Sequence, residues 1–244
     1  MRESSERRWP ENRLLKSLPD RDSARLLPQL EILTLFAKES VYEGGEEINY
    51  IYFPLDCIVV LLSSVDLNAT VEVGLIGNEG MVGAQILMGA RQSTSQALIL
   101  TEGKALRLPA PVLKKEAKRS SRMRELMLNY ANALLAQSGQ LAACHRYHTP
   151  RARLARLLLM IDDRTTTSEL HITQDLLAHL LGTRRATVTQ AVNQLQDLGL
   201  IASVRGRIRF LDRAGLEKEA CTCYAIISQQ YVTAIHHGVD HVSS

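Results

Sequence analysis

Residues 184–193 carry polar side chains of the types that read nucleic-acid bases. Arg184 and Arg185 are followed by Gln190 and Asn193 within this short stretch. An Arg guanidinium can donate two hydrogen bonds to the major-groove edge of guanine, and a Gln or Asn amide can pair similarly with adenine, each pair giving about 1 to 3 kcal/mol of discrimination. Such side chains act together only where one rigid element presents them on the same side.

The segment ITQDLLAHLLGTRRATVTQAVNQLQDLGLI, residues 172–201, predicts that element. Thr173 is a good N-cap for a first helix, Gly182 permits a left-handed turn, and Thr183 is predicted to cap a second helix. Ala178 and Val188 stand where two steeply crossing helices need a small contact and an apolar anchor. The segment therefore predicts a helix-turn-helix.

The second helix is predicted to have an apolar inner face and a polar outer face. The inner face comprises Val188, Ala191, Val192 and Leu195. The outer face would enter a major groove, while first-turn amides and hydroxyls contact phosphates, which position the protein without specifying sequence. SVRGRIRF at 203–210 follows, and it predicts a hairpin wing whose Arg side chains reach phosphates. The predicted DNA-binding residues are Thr173, Gln174, Thr183, Arg184, Arg185, Ala186, Thr187, Thr189, Gln190, Asn193, Arg205 and Arg207.

Positive charge is concentrated in the same region. The whole chain has a net charge of +3, whereas residues 150–215 carry ten Arg against six acidic residues, a net +4. Guanidinium groups suit phosphates and guanine edges, so an anionic partner is indicated. A solvated charged face and an ordinary two-helix packing motif are the alternatives. The helix-turn-helix spacing, the polar outer face and the wing together favour double-stranded DNA.

The N-terminal half follows a different pattern. Residues 12–31 have apolar residues at helical spacing, interrupted at Pro19 and Pro28, which predicts two short helices. From 32 to 108, short apolar runs such as YIYF at 50–53 and IVVLL at 58–62 alternate with glycine turns. Such a pattern is typical of an all-β barrel or roll. The sequence thus predicts an α+β chain with an N-terminal β-roll of the double-stranded β-helix or jelly-roll type.

Residues 121–147 contain no Pro and one Gly, and they predict a long helix. Seven of its positions follow a 4-3-4-3-4-3 spacing, which is typical of a coiled-coil seam between two copies. The predicted seam is Met123, Met127, Tyr130, Leu134, Gln137, Leu141 and Cys144. A helix buried in the core of one chain is the alternative. Residues 126–145 lack formal charge, but their Asn, Gln, Ser and Gly are too polar for a membrane span, so no membrane contact is expected.

Composition excludes several classes of protein. With 45% apolar and 23% charged residues, the chain is expected to be ordered and globular. The N-terminal MRESSERRWPENR has no apolar leader, and four Cys are too few for a disulfide scaffold. We therefore expect a cytoplasmic protein with reduced thiols. GxSxG, P-loop and HExxH motifs do not occur in the sequence, so neither catalytic residues nor enzymatic activity are expected.

The order of β-roll, long helix and winged helix-turn-helix resembles the CRP/FNR superfamily of bacterial transcription regulators over about residues 12–214. The helix-turn-helix segment carries the resemblance, supported by VYEGGEEINYIYF at 41–53 and VEVGLIGNEGMVG at 71–83. The resemblance implies a homodimer on a near-palindromic site, with Arg185 and Gln190 at base-reading positions, and RNA polymerase as a further partner of an activator. Ala186 stands where many members have Glu, so a different site sequence is expected.

The resemblance also implies an effector pocket in the roll, but two charged ligands are missing. Members that bind cyclic nucleotides carry a Gly-Glu pair for the ribose and an Arg before a small hydroxyl residue for the phosphate. Glu79 and Arg91 lie nearby at other offsets. A degenerate pocket or an unrelated, unknown effector is therefore expected rather than a cyclic nucleotide. The predicted pocket residues are Gly83, Ala84, Arg91, Thr94 and Ser95.

Cysteine positions argue against the iron–sulfur branch of the superfamily. That branch uses an N-terminal cysteine cluster, whereas the first cysteine here is Cys57. Cys144 and His148 are four positions apart on the long helix, and Cys221 and Cys223 form a second pair. Metal or thiol sensing is an alternative on these residues. Because neither pair alone offers four ligands, no metal site and no cofactor are expected.

The sequence predicts a sensor domain at 12–120, a dimerisation helix at 121–148, a winged helix-turn-helix domain at 149–214 and a C-terminal tail at 215–244. The expected function is that of a sequence-specific transcription regulator, a homodimer on an inverted repeat, with effector control through the roll. The alternative is a small-molecule-binding or redox-sensing module whose helix-turn-helix makes protein contacts.

Overall fold

The N-terminal segment is fastened to the rest of the chain by Asn12. The computed structural model describes residues 11–66, 69–165, 167 and 169–236. It begins with the two short helices that the sequence predicts, α1 (Arg13–Lys16) and α2 (Asp20–Leu26). The buried Asn12 caps α1 by accepting a hydrogen bond from the Leu15 amide, and its side-chain amide donates to the carbonyls of Pro54 and Gly80. One side chain therefore joins three chain segments.

The predicted β-roll consists of two antiparallel sheets. Its strands are β1 (Glu31–Leu35), β2 (Ser40–Tyr42), β3 (Tyr50–Pro54), β4 (Ile58–Asp66), β5 (Ala69–Ile76), β6 (Gln96–Thr101) and β7 (Gly103–Pro109). One sheet has the order β1-β7-β3 and the other β2-β6-β4-β5. Alternation along β3 shows why the strands form, since Ile51 and Phe53 are fully buried while Tyr50 is exposed. A short 3₁₀ helix at Ala84–Met88 connects β5 to β6.

Two helices follow the roll, α3 (Ala110–Arg119) and α4 (Ser121–Tyr147). Ser120 separates them and caps α4, because its hydroxyl accepts a hydrogen bond from the Met123 amide. The long helix predicted at 121–147 is thus present. It packs along β5 of the roll, where the Ser138 hydroxyl donates to the Val73 carbonyl at 2.6 Å.

The C-terminal part contains the remaining elements. These are α5 (Pro150–Asp162), β8 (Glu169–His171), α6 (Gln174–Leu180), α7 (Arg185–Asp197), β9 (Ile201–Val204), β10 (Arg207–Phe210), α8 (Arg213–Glu219) and α9 (Cys223–His236). Strands β8, β10 and β9 form a small antiparallel sheet in that order. The α+β architecture of a β-roll, a long helix and a winged helix-turn-helix is therefore as the sequence predicts.

The seven residues predicted to form a dimer seam are packed inside the single chain. All of Met123, Met127, Tyr130, Leu134, Gln137, Leu141 and Cys144 are buried. Residues 215–244 are predicted to be a tail, but they contain α9, which packs along α4 and covers part of this face. The Tyr231 hydroxyl donates to Gln137 Oε1 at 2.8 Å, and the rings of Tyr231 and Tyr130 lie 6.0 Å apart. These seven side chains consequently offer no surface to a second copy.

Two buried ion pairs join the roll to the C-terminal part. Arg156 of α5 and Glu72 of β5 are both fully buried and lie 3.0 Å apart. Arg164, just after α5, lies 2.8 Å from Glu79, which also accepts a hydrogen bond from the Gly77 amide. Since a buried charge is costly unless it is paired, these contacts fix how α5 sits on the sheet. Within the described ranges, every helix is too short or too polar to cross a lipid bilayer.

Candidate nucleic-acid interface

The turn between α6 and α7 largely follows the sequence prediction. Thr173 caps α6 by accepting a hydrogen bond from the Leu176 amide at 3.2 Å. Gly182 has a φ of +53°, in the left-handed region that favours glycine. Thr183, however, is not the cap of α7; Arg184 occupies that position and makes no side-chain capping bond. The Thr183 amide instead donates to the Ala178 carbonyl, so Thr183 belongs to the turn that ends α6.

Helix α7 has the two faces that its spacing predicts. The inner residues Val188, Ala191, Val192 and Leu195 are all buried. Five of the predicted outer residues are exposed, namely Arg184, Arg185, Ala186, Gln190 and Asn193, and Thr187 is half-buried. An apolar stripe packed on α5 therefore holds the polar face rigidly towards solvent.

Two of the predicted contact residues are engaged with each other in the free protein. The half-buried Thr189 hydroxyl lies 2.6 Å from Gln174 Oε1, which it can reach as a donor, and 3.1 Å from the Arg185 carbonyl. This contact ties the start of α6 to the second turn of α7. The hydrogen bond between Thr189 and Gln174 thus fixes the position of α6 relative to α7. This role is separate from any contact that the two residues make with a partner.

Arg185 is held loosely beside the preceding helix. Its guanidinium lies 3.2 Å from the Asp175 carboxylate, and the two side chains are 67% and 60% exposed. An exposed ion pair contributes about 0 to 1 kcal/mol, so it gives way readily to a better acceptor. Arg184 and Arg185 therefore form an accessible cationic group at the amino end of α7.

The wing is a tight hairpin with an arginine at its tip. Val204 pairs with Arg207, which leaves Arg205 and Gly206 as a two-residue turn. Both have positive φ, +49° and +79°, as a type I′ turn requires. Arg205 and Arg207 are exposed, and Arg207 lies 3.5 Å from the half-exposed Glu169 of β8. The turn thus projects Arg205 beyond the small sheet.

A groove beside α7 is not predicted from the sequence. The amino end of α5 lies beside α7, and together they line a groove of about 360 Å³. Its lining residues are Thr149, Pro150, Arg151, Thr187, Gln190, Ala191 and Gln194. The closeness of Thr149 to Gln190 depends on tertiary packing, which a sequence pattern does not show. At this helix start Pro150 has no N–H, and the Ala152 and Arg153 amides donate to Thr149, so the Arg151 amide and the exposed Arg151 guanidinium are the groups suited to a phosphate.

The residues predicted to line an effector pocket do not form a charged site. Gly83 and Ala84 are buried, and a Cβ at Gly83 would lie 2.7 Å from the Ile51 side chain. Arg91 and Thr94 are exposed, and Ser95 is half-buried. A cleft of about 390 Å³ beside the roll contains none of these five residues; it is lined by Val41, Tyr42, Glu46, Glu47, Asn49, Tyr50 and Tyr52.

Neutral polar side chains occupy the neighbourhood of Gly83-Ala84. The Gln85 amide donates to the Tyr42 hydroxyl at 3.4 Å and to the Ser93 hydroxyl at 3.3 Å. Burial raises the pKa of Tyr42, which keeps its hydroxyl neutral. Glu79, the carboxylate that lies near these residues in the sequence, forms an ion pair with Arg164. The described residues therefore lack the carboxylate and guanidinium pair that a cyclic nucleotide would need here.

Fold and interface together define an architecture of a β-roll, a long helix and a winged helix-turn-helix. Residues 152–219 match a family described as the Crp-like helix-turn-helix domain. That match includes α7, the turn before it and the wing. No curated protein matches the sequence with significance.

Solved structures show the same fold over most of the chain. A CRP-family transcriptional regulator from Thermus thermophilus is 22% identical with a TM-score of 0.64, covering 77% of this chain and 96% of that chain. FixK2 from Bradyrhizobium japonicum is 16% identical with a TM-score of 0.68, covering 79% and 98%. The c-di-GMP responsive regulator CLP from Xanthomonas campestris is 15% identical with a TM-score of 0.59, covering 80% and 100%. The resemblance to CRP/FNR regulators predicted from the sequence is confirmed at the level of the fold.

Proposed function

We propose that this chain is a sequence-specific transcription regulator that binds double-stranded DNA and has no enzymatic activity. The observation that carries the proposal is α7, which exposes Arg185, Gln190 and Asn193 on one side and buries its apolar residues on the other. A helix of this kind fits a major groove, where these side-chain types pair with guanine and adenine edges. Arg184 and Arg185 at its amino end would enter the groove first.

Exposed arginines on the elements that contact α7 support this orientation, because they are suited to phosphates. The exposed Arg205 and Arg207 belong to the wing, whose strand β9 contacts α7, and the exposed Arg151 lines a groove together with α7. Arginine contacts neutralise phosphates, release counterions and position the protein, while base contacts supply the specificity.

We also propose that the regulator is a homodimer, joined through a different face of α4 from the seven-residue seam. Leu128, Asn132, Leu135, Gly139 and Ala142 follow a 4-3-4-3 spacing; Leu128 is half-buried and the other four are exposed. Leu135 is 63% exposed, and a Cβ at Gly139 would meet nothing within 4 Å. This narrow stripe of apolar and small residues fits a coiled-coil contact, with Asn132 able to fix its register. A twofold pair would place two copies of α7 in successive major grooves about 34 Å apart, on an inverted repeat.

Effector control through the roll and a cytoplasmic location complete the proposal. The neutral cluster of Tyr42, Gln85 and Ser93 favours an effector other than a cyclic nucleotide. Such an effector can regulate only by binding two states of the dimer unequally. Four free and buried thiols fit a reducing compartment. RNA polymerase is the expected further partner of an activator.

The salt dependence of duplex binding tests DNA binding directly. We expect the logarithm of the association constant for a random-sequence duplex to fall linearly with the logarithm of salt concentration, with a slope of about −0.9 for each phosphate contacted. Fluorescence anisotropy with a labelled duplex measures this slope. Absence of duplex affinity, or a flat salt dependence, would favour the module whose helix-turn-helix makes protein contacts.

A further inference from the structure

The two Cys and His pairs that are separate in the sequence meet in the structure. Cys144 and His148 lie at the carboxyl end of α4, while Cys221 and Cys223 lie between α8 and the start of α9. Cys144 Sγ is 3.5 Å from Cys221 Sγ, and Cys223 Sγ is 3.4 Å from His148 Nδ1. All four potential ligand atoms lie within 4.8 Å of one another. The two pairs, neither of which offers four ligands alone, therefore provide four potential ligands together.

The spacing of these four atoms matches tetrahedral coordination. Zinc binds thiolates at about 2.3 Å, so atoms at the corners of such a tetrahedron lie about 3.8 Å apart. The two contacts of 3.5 and 3.4 Å and the outer limit of 4.8 Å bracket that spacing. The three cysteines are buried, and the Gln140 amide donates to Cys223 Sγ at 3.1 Å. A tetrahedral ion would therefore have four protein ligands and a polar neighbour already in place.

The buried charged side chains near the cluster have an excess of positive charge. Arg153 and Arg156 are both buried, and Glu72 pairs with Arg156. Among the described residues Arg153 has no carboxylate partner; its guanidinium donates to His145 and to the Leu181 carbonyl. The Nε atoms of both Arg residues are buried without a hydrogen-bond partner. This interior consequently holds two positive charges and one negative charge.

A divalent ion with three thiolates would balance that excess. Three thiolates, one neutral His and one divalent cation carry a net charge of −1, which offsets the remaining +1 of the Arg and Glu groups. Neutral assemblies are cheaper to bury than charged ones. Soft thiolate ligands in a tetrahedral arrangement select zinc among the common divalent ions, and a four-ligand site leaves no open position for catalysis.

We propose that Cys144, His148, Cys221 and Cys223 form a structural zinc site. His148 is the residue that ends α4, and Thr149 caps α5, so the ion lies at the junction of the long helix with the DNA-binding part. Cys221 and Cys223 begin the segment that leads into α9, which covers α4. Zinc would thus link α9 to α4 and fix the angle between α4 and α5.

Metal analysis of the full-length, reduced protein tests this site independently of DNA binding. After chelation and readdition of Zn²⁺ alone, we expect one zinc per chain by elemental analysis and a higher melting temperature than that of the metal-free protein. With Co²⁺ as the probe, we expect the intense visible absorption of a tetrahedral ion and the charge-transfer bands of cobalt–thiolate bonds. Failure of duplex binding would leave these expectations unchanged.

Matched cysteine variants locate the site. Cys144→Ser and Cys223→Ser are each expected to weaken zinc binding at least about 100-fold, the upper end of the cost of outer-shell changes. Cys57→Ser, in the buried roll and outside the cluster, should bind zinc as the wild type does. Where a buried Cys variant fails to fold, His148→Asn at its half-buried position should still weaken binding and alter the cobalt spectrum.

Two results would overturn the proposal. One is a reduced wild-type protein that takes up neither Zn²⁺ nor Co²⁺ at micromolar concentration. The other is uptake that Cys144→Ser and Cys223→Ser leave unchanged. A Cys144–Cys221 disulfide that forms under mild oxidation, in a protein that binds no zinc when reduced, would assign the cluster to thiol chemistry instead.

Discussion

Arg185 combines the features expected of a base-reading residue. It lies in the first turn of α7, it is exposed, and Asp175 holds it at 3.2 Å with a weak surface ion pair. Guanine presents two acceptors that match the guanidinium more fully than one carboxylate oxygen does. We therefore expect Arg185 to leave Asp175 when a duplex enters the site.

Arg185→Ala should weaken binding to the preferred site by about 1 to 3 kcal/mol and relax base choice at one position of each half-site. The reason is that a bidentate base contact is lost while most phosphate contacts remain. Competition binding against a set of singly substituted duplexes measures both effects.

Arg207→Ala is the matched control on the wing. Because Arg207 is expected to contact phosphate, its removal should weaken all sequences alike and lower the salt slope by about one unit. Equal loss of affinity for every duplex in Arg185→Ala, without a change of base preference, would mean that Arg185 only contacts the backbone.

Helix caps and turns near these residues could be predicted where a single residue determines the backbone conformation. Thr173 as a cap and Gly182 as a left-handed turn depend on nearest neighbours, and both are confirmed. Thr183 was assigned to the wrong element by one position, because its amide completes the turn after α6 instead of starting α7. Helix boundaries of this kind depend on competing hydrogen bonds, which spacing alone does not resolve.

Among the elements, both α7 and α4 could be predicted as helices, but only the packing of α7 could be predicted. Helix α7 has one packed face, so its 3.6-residue pattern is read directly. Helix α4 contacts the roll on one side and α9 on another, and its 4-3 pattern therefore reports packing within the chain. The covering helix α9, with Ile227 and Tyr231 buried, was not assigned from the sequence. Without α9, the buried stripe of α4 resembles a seam between two copies.

The ion pair between Arg164 and Glu79 joins the roll to the end of α5. Glu79→Gln should destabilise the fold by about 3 to 5 kcal/mol, because it leaves the buried charge of Arg164 without its carboxylate. Urea unfolding at one fixed protein concentration measures this loss. The double variant Glu79→Gln with Arg164→Met should recover much of the stability, since the unpaired charge is removed as well.

Glu31→Gln provides the control, because Glu31 pairs with Arg107 at 2.7 Å on the surface. Its free energy of unfolding should change by no more than about 1 kcal/mol. Similar losses in Glu79→Gln and Glu31→Gln would show that the inner pair does not hold the roll and the C-terminal part together.

At the scale of the whole molecule, the sequence predicts the components but not how they dock. The helix-turn-helix rests against the roll, where a Cβ at Gly182 would lie 3.1 Å from Val71 Cγ2. The Cys and His cluster likewise joins residues that are 77 positions apart at Cys144 and Cys221. Contacts at such separations follow from the packing of whole elements, and no local pattern records them.

Leu135→Arg should convert a dimeric protein into a monomer. Leu135 is 63% exposed in the middle of the proposed dimer face, and a charge there would be buried against its own copy across a twofold axis. Sedimentation equilibrium measures the change in mass. The melting temperature of the variant should fall only by the amount that loss of dimerisation causes.

Leu211→Arg makes the same chemical change at a position that is 52% exposed near the end of the wing sheet. This variant should remain dimeric. A wild-type protein that is monomeric at all concentrations, or a dimer that tolerates Leu135→Arg, would contradict the proposed face.

Selection of binding sites from random duplex DNA by the purified protein is the decisive test of sequence-specific binding by a homodimer. We expect an inverted repeat whose half-sites have centres about 10 to 10.5 base pairs apart, and we expect Arg185→Ala to lose the guanine preference at one position of each half-site. Recovery of no sequence preference, or of a single asymmetric site that Arg185→Ala leaves unchanged, would contradict this expectation.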